Sequence, residues 1–263
     1  MRFSSLPSAR SHRVERERFG RSLTVAILAI ALGSLASACQ WRRSPSATSD
    51  AMPSECTESV TIDCEDYTPV IQNAPDSAST FYNRAVGRTE AGDFNGALND
   101  YSRAIELDPD LAEAYLNRGY AHDVLGHLPE ALEDYTQAIA LSPDLGMAYY
   151  NRSAARLAIG DFRGALSDSS RAIELNINPA QAYVNRSAAH LRLGQYNKAV
   201  SDSSRALELD PNLPLAYLNR GSARISLSDR QNGLRDIEKA GELFQSFGDE
   251  ASYQQVQKLL NDV

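Results

Sequence analysis

A column of asparagines recurs along this chain at intervals of 34 residues, and its side chains could form hydrogen bonds with a partner. A carboxamide carries both donors and acceptors, so it can pair with almost any polar group. The alternative is that these amides cap helices or pack within the fold. The members of the column are Asn83, Asn117, Asn151, Asn185 and Asn219.

Oppositely charged residues recur at the same interval. An arginine follows each asparagine, and an aspartate comes 16 residues after each arginine. A planar guanidinium suits a bidentate pair with a partly buried carboxylate. We expect structural ion pairs, within a repeat or across the joint between repeats, because a catalytic dyad would occur only once. The pairs are Arg84 with Asp100, Arg118 with Asp134, Arg152 with Asp168, Arg186 with Asp202, and Arg220 with Asp236.

The remaining reactive side chains form no recognisable catalytic or metal-binding pattern. His122 and His190 stand in the column that elsewhere holds Arg88, Arg156 and Arg224, which favours a packing or pairing role. The sequence contains neither a phosphate-cradling glycine loop nor a zinc-binding His-Glu motif. We therefore predict no catalysis, no metal and no cofactor.

The segment Ala112–Leu145 shows how one 34-residue unit positions these columns. Tyr115, Gly119 and His122 have helical spacing on one face of a first helix, which Gly126 ends because a left-handed C-terminal position favours glycine. Ala131, Tyr135 and Ala138 form the inward stripe of a second helix, and Pro143 ends the unit. One such hairpin cannot bury its apolar face alone, so stacked neighbours must bury it.

This pattern closely resembles the tetratricopeptide (TPR) repeat, which consists of two antiparallel helices. The resemblance predicts an all-α, right-handed α-solenoid of five helical hairpins with a C-terminal capping helix. The predicted repeats are 78–111, 112–145, 146–179, 180–213 and 214–247, and the capping helix lies in 248–263. In the third repeat Ile177 replaces the terminating proline, for which we expect a local change in the loop.

In TPR proteins the sixth residue of the first helix lines a concave groove, so the resemblance implies that the asparagine column hydrogen-bonds the backbone of an extended peptide. The fifth and ninth residues complete this lining, which we call, together with the sixth, the groove face. Among them Tyr82, Tyr120 and Tyr150 are suited to anchoring apolar side chains, or alternatively only cover neighbouring helices. The groove face lacks the basic residues with which some TPR proteins clamp a terminal carboxylate.

The charge of the chain argues against nucleic acid as a partner. The formal net charge is −8, and it becomes −12 when residues 1–38, which carry six arginines and two glutamates, are removed. Nucleic-acid binding requires a basic footprint, whereas an acidic surface is compatible with basic protein partners or simply with solubility.

Residues 1–38 resemble a bacterial signal peptide of the lipoprotein type. Six arginines precede an apolar run, Leu23–Leu35, and small residues then lead to Cys39. We expect Cys39 to be lipidated and to anchor an exported protein that faces the periplasm or the cell exterior. Cleavage by an ordinary signal peptidase and retention of the apolar run as an anchor are the alternatives, and each exports the same repeats.

Residues 39–77 read as a flexible linker that is rich in Ser, Thr, Pro and Asp. In an exported protein Cys56 and Cys64 are expected to form a disulfide that closes a small loop. A metal site is the weaker alternative, since no nearby histidine or further cysteine completes a ligand set.

These observations predict a scaffold that binds a peptide or protein partner in the groove and acts in assembly of the cell envelope. Exported TPR lipoproteins of this style resemble pilotins and scaffolds of envelope enzymes, and the closing segment Ala240–Gln255 is similar to that of cyanobacterial TPR proteins. Two other functions stay open: a self-associating structural protein that forms homo-oligomers, and an enzyme with an active site in the groove.

Overall fold

The computed structural model describes residues 77–262, which contain eleven α-helices and no strand. The segments that hold the predicted signal peptide, Cys39, Cys56 and Cys64 lie outside these residues. The described chain divides into an N-terminal unit, 77–145, and a C-terminal unit, 146–262. No helix within 77–262 is long and apolar enough to cross a membrane.

The N-terminal unit consists of two helical hairpins. Its helices are α1 (Ala78–Glu90), α2 (Phe94–Leu107), α3 (Ala112–Val124) and α4 (Leu128–Leu141). A buried cluster that includes Ala85, Ala97 and Tyr101 joins α1 to α2 and extends to Ala114 of α3. Because alanines occupy the contact positions, the helix axes can approach closely and the tyrosine ring fills the space between them.

The C-terminal unit continues the pattern with three hairpins and a final helix. Its helices are α5 (Gly146–Ile159), α6 (Phe162–Glu174), α7 (Pro179–Arg192), α8 (Tyr196–Leu209), α9 (Pro214–Ser226), α10 (Arg230–Ser246) and α11 (Glu250–Asp262). Val256 and Leu259 of α11 are buried in one cluster with Leu218, Ile237 and Phe244. The last helix therefore covers apolar surface that the fifth hairpin would otherwise leave open.

Local sequence explains where the first helices end. Gly92, Gly126, Gly160 and Gly194 follow the first helix of successive hairpins with φ between 71° and 84°. In the fifth repeat Ser228 takes this place with φ 71°, a conformation that L-residues rarely adopt. Each first helix thus reverses into its second helix through one left-handed residue.

The two departures from the repeat pattern have local explanations. Between α6 and α7, Asn176 and Asn178 adopt left-handed φ values of 55° and 42°, and Pro179 then starts α7 at a position where its missing N–H costs nothing. In the fifth hairpin Gly233 replaces the alanine of the other repeats. A Cβ on Gly233 would lie 2.7 Å from the carbonyl oxygen of Gly221 and 2.5 Å from Cγ1 of Ile225, so the site has no room for alanine.

Candidate binding face of the first helices

Each repeat contains one bidentate ion pair that joins its first helix to its second. The Nε of the arginine donates to aspartate Oδ2 at 2.7–2.9 Å, and Nη2 donates to Oδ1 at 2.5–2.9 Å. All five aspartates are buried, and each arginine lies over the aromatic ring three residues before it, at 5.1–5.7 Å. The pairs thus form within each repeat and not across the joint, and we call them the ion-pair ladder.

A second cation approaches the same aspartate in alternate repeats. Nη1 of Arg88, Arg156 and Arg224 lies 2.7–2.8 Å from Oδ2 of Asp100, Asp168 and Asp236, respectively. The histidines of this column occupy the other two repeats.

The two histidines carry less charge than the arginines they replace. Burial lowers the pKa of His190, whose Nε2 lies 3.6 Å from Asp202 and whose Nδ1 lies 2.8 Å from Gln195 Oε1. Burial also lowers the pKa of His122, whose Nδ1 lies 3.4 Å from that of His127. Both side chains are therefore largely neutral near pH 7.

In the N-terminal unit the asparagine column is accessible. Asn83 is exposed, and the half-buried Asn117 donates from Nδ2 to the hydroxyl of Tyr82 at 3.0 Å. This bond connects α3 to α1, so the first helices of the two hairpins lie side by side. Asn83 can therefore offer its whole amide to a partner, while Asn117 can offer its Oδ1 and its second N–H.

In the C-terminal unit the column becomes progressively buried. Asn151 is half-buried, and Asn185 donates to Ser153 Oγ at 2.9 Å. Asn219 is only 3% exposed and donates to Ser187 Oγ at 2.8 Å and to the carbonyl of Val184 at 3.3 Å. The prediction that Asn219 presents its amide to a partner is therefore wrong: it bridges α9 to α7 inside the fold.

The aromatic members of the groove face are half-buried, so part of each ring meets solvent. In the N-terminal unit the Tyr82 ring tilts against Tyr101 at 5.9 Å, and the Tyr120 ring meets Phe94 edge-on at 6.3 Å. Tyr150 is the corresponding residue at the start of the C-terminal unit. Tyr82 and Tyr120 are thus held by neighbouring rings and could serve as rigid apolar platforms.

One groove-side residue was missed at the level of sequence. Asp123 is half-buried on α3, and within residues 77–262 its one hydrogen bond comes from the Tyr135 hydroxyl, which donates to Oδ2 at 3.5 Å. Burial raises the pKa of Asp123 from 3.8 to about 6. The sequence signal was that Asp123 is the one charged residue at its repeat position, which holds Thr89, Leu157, Leu191 and Ile225 in the other repeats. A search for residues that recur in every repeat does not find such an exception.

Asp123 does not by itself make an active site. A hydrolytic or acid–base centre would need a second titratable group or an activated nucleophile within hydrogen-bond reach. Within residues 77–262, no group of three His, Cys, Asp or Glu side chains could hold a metal ion. The arrangement on the first helices supplies hydrogen bonds, ring faces and one carboxylate, which are the means of binding.

Comparisons with known proteins agree with this architecture. Family models described as TPR repeat and tetratricopeptide repeat match residues 88–123, 112–145 and 180–213. No curated protein matches the chain in sequence.

Solved structures share the fold at low sequence identity. One is YrrB, described as a TPR protein with an unusual peptide-binding site, with 24% identity, a TM-score of 0.60, and coverage of 73% of this chain and 97% of YrrB. Another is MamA from Desulfovibrio magneticus RS-1, with 22% identity, a TM-score of 0.60, and coverage of 65% and 97%. A thermophilic TPR protein of Thermus thermophilus has 22% identity, a TM-score of 0.54, and coverage of 70% and 99%.

At these identities the structural neighbours establish the fold, and the predicted all-α solenoid class of TPR repeats is confirmed. TPR repeats generally serve as non-catalytic scaffolds for protein interaction. The family matches and the helical hairpins together show that this chain is a tetratricopeptide repeat protein.

Proposed function

We propose that this protein is a scaffold that binds an extended segment of a partner protein along the groove face of its first helices. The observation that carries the proposal is a division of labour in each repeat. The ion-pair ladder joins the two helices of a hairpin, whereas the exposed Asn83 and the half-buried Asn151, Tyr82, Tyr120 and Tyr150 are not part of it.

The chemistry of these side chains suits a peptide backbone. An exposed carboxamide can donate to a backbone carbonyl and accept from a backbone N–H, and the neighbouring rings can cover apolar side chains. Within the N-terminal unit the combination occurs twice, as Asn83 with Tyr82 and as Asn117 with Tyr120, so affinity would come from several modest contacts. YrrB, a protein of the same fold, is described as having a peptide-binding site, which supports this kind of ligand.

The proposal extends to location. The features of residues 1–38 and Cys39 favour export and a lipid anchor, with residues 39–77 as the tether between the anchor and the repeats. A tethered scaffold of this kind would act in assembly of the cell envelope. These segments lie outside the described residues, so the support for this part comes from their sequence.

The binding proposal is tested by capture with the full chain. An Asn83→Ala/Asn151→Ala variant removes one groove-face amide from each unit, and an Asn95→Ala/Asn197→Ala variant removes one exposed amide from the second helix of a repeat in each unit. We expect the first variant to lose the partners that wild type captures from envelope extract, and the second to keep them. Equal capture by all three proteins, at equal thermal stability, would remove the support for a peptide groove.

Location and self-association are measured separately. Mass spectrometry of the mature N-terminus should find a lipid on Cys39, and a Cys39→Ser variant should leave the membrane fraction. Sedimentation of purified protein distinguishes a hetero-binding scaffold from a self-associating structural protein, for which the mass would rise with concentration. Unmodified full-length protein in the cytosol would contradict the proposed location and leave the proposal of a peptide-binding groove unaffected.

A further inference from the structure

The N-terminal unit is strongly acidic, and each of its four arginines already forms an ion pair within the unit. Residues 77–145 contain twelve acidic and four basic residues, a formal charge of −8. Arg84 and Arg88 pair with Asp100, Arg103 pairs with Glu106, and Arg118 pairs with Asp134. The unit thus has an excess of carboxylates over the cations that it can supply.

Asp123 is the carboxylate of this excess that the fold least explains. It is half-buried, yet within the described residues no arginine, lysine or histidine forms an ion pair with it, and its one hydrogen-bond neighbour is the Tyr135 hydroxyl at 3.5 Å. Four of the five repeats place an uncharged residue there. A partly buried charge without a partner lowers the stability of the fold. The presence of Asp123 therefore suggests that a bound partner supplies the compensating charge.

The groups around Asp123 would favour a cation. Tyr120 lies one helical turn before it on the same face of α3, and its ring is held edge-on against Phe94. A cationic side chain here would meet the carboxylate of Asp123 and the ring of Tyr120 together, an arrangement that binds lysine and arginine.

We infer that the groove face of the N-terminal unit binds a basic segment of the partner protein, with one lysine or arginine side chain paired with Asp123 and lying against Tyr120. This inference rests on the proposed function and names the chemistry of its ligand. The lack of basic residues on the same face would disfavour an acidic segment or a terminal carboxylate. A bound cation would offset the free-energy cost of burying the Asp123 carboxylate. Because the free protein already bears this cost, removing it would add to the affinity.

The experiment selects ligands without assuming a partner. The full-length protein is panned against a displayed library of random nonapeptides, in parallel with Asp123→Asn and with Asp110→Asn. The latter makes the same chemical change at an exposed loop residue of the same unit. Enriched peptides are then synthesised with their lysine or arginine replaced by norleucine, and affinities are measured by fluorescence anisotropy.

We expect the peptides selected by wild type and by Asp110→Asn to be rich in lysine and arginine. Replacement of the key basic residue by norleucine should weaken their binding at least tenfold. For Asp123→Asn the preference for a basic residue should largely disappear.

The pH dependence of binding gives a second readout. The groups that face Asp123 are Tyr120 on α3 and Tyr135 on α4, and Tyr135 is also near Asp134, which Arg118 neutralises. Burial raises the pKa of Tyr135 well above its ordinary value of 10, so its hydroxyl keeps its proton between pH 5 and 7.5. A basic peptide should therefore bind wild type more tightly as Asp123 loses its proton over that range. The same peptide should show a smaller rise with Asp123→Asn.

The outcomes distinguish the inference of a basic ligand from the proposed function of peptide binding. Enriched peptides without a basic preference, or an equal preference in Asp123→Asn, would overturn this inference and leave a peptide-binding groove in place. A failure to enrich any peptide would contradict the proposed function as well.

Discussion

The two units of this chain share one helical repeat pattern but differ in the charge of their surface residues. The N-terminal unit has a formal charge of −8, whereas residues 146–262 contain fourteen basic and thirteen acidic residues, a charge of +1. At the twelfth repeat position the N-terminal unit has Thr89 and Asp123, and the C-terminal unit has only aliphatic residues. The ion-pair ladder is the same in both, so the scaffold tolerates a change of surface chemistry that its structural contacts do not depend on.

The cores differ as well. Tyr101 and Tyr135 are buried between the helices of the first two hairpins, but Ser169 and Ser203 stand at the same position in the next two. The hydroxyl of Ser169 donates to the carbonyl of Ala165 at 2.6 Å, while Ser203 Oγ is buried without a hydrogen-bond partner. The fifth repeat of the C-terminal unit instead has Ile237 at this position, buried in an apolar cluster with Leu218.

The largest effect is expected from removing a ladder aspartate. Asp168→Ala leaves Arg152 and Arg156 without their buried partner, which should lower the free energy of unfolding by about 3–5 kcal/mol. Asp134→Ala should fall toward the lower end of that range, because it strands Arg118 and a histidine whose pKa burial lowers. Urea unfolding of the full chain measures both.

The control for the ladder is Glu174→Ala, which breaks an exposed pair with Arg171. It should leave the urea midpoint unchanged, because solvent screens such pairs. Unchanged midpoints for both Asp168→Ala and Asp134→Ala would mean that the ladder contributes nothing net to stability in either unit.

The next effect tests the difference between the cores. Tyr135→Ser gives the second repeat the residue that the third and fourth repeats use, at a position where the tyrosine ring is now fully buried. We expect a loss of about 3 kcal/mol, the range for removing a buried aromatic ring. Thermal unfolding compared with a Thr136→Ser control at the adjacent exposed position checks this, and a loss below about 1 kcal/mol would show that the core adapts to serine.

The smallest effect concerns the unpartnered carboxylate. Because the pKa of Asp123 is raised to about 6 in the folded chain, its carboxyl contributes stability below about pH 4 that is lost as the pH rises through 6. Asp123→Asn carries no charge at any pH, so it should be more stable than wild type by about 1–3 kcal/mol at pH 7.5 and nearly equal to it near pH 4. Urea unfolding across this range, with Asp110→Asn beside it, measures the difference; parallel curves would mean that Asp123 is solvated in the folded state.

Much of this architecture could be predicted from the sequence because its causes are local and repeated. Gly126 ends a helix by its left-handed φ of 80°, and the interval of 16 residues brings Arg118 to Asp134 in the same hairpin. Such features depend on one repeat alone. A single 34-residue unit therefore contains the information that positions them.

The departures depend on which residue stands in the neighbouring repeat. Asn185 and Asn219 are drawn inward because Ser153 and Ser187, at the eighth position of the preceding repeat, offer hydroxyl acceptors. Asn117 follows a repeat with Ala85 at that position and pairs with Tyr82 instead. Reading each asparagine against its predecessor, rather than as a column, would have separated the buried amides from the accessible ones.

The closure of every Arg–Asp pair inside its own hairpin has a consequence for how such chains change in length. Duplication or excision of a segment of 34 residues carries both charged partners along, so no carboxylate is stranded by the event. A pairing scheme that crossed from hairpin to hairpin would break at each cut. The Arg–Asp pairs therefore set no electrostatic obstacle to the gain or loss of whole repeats.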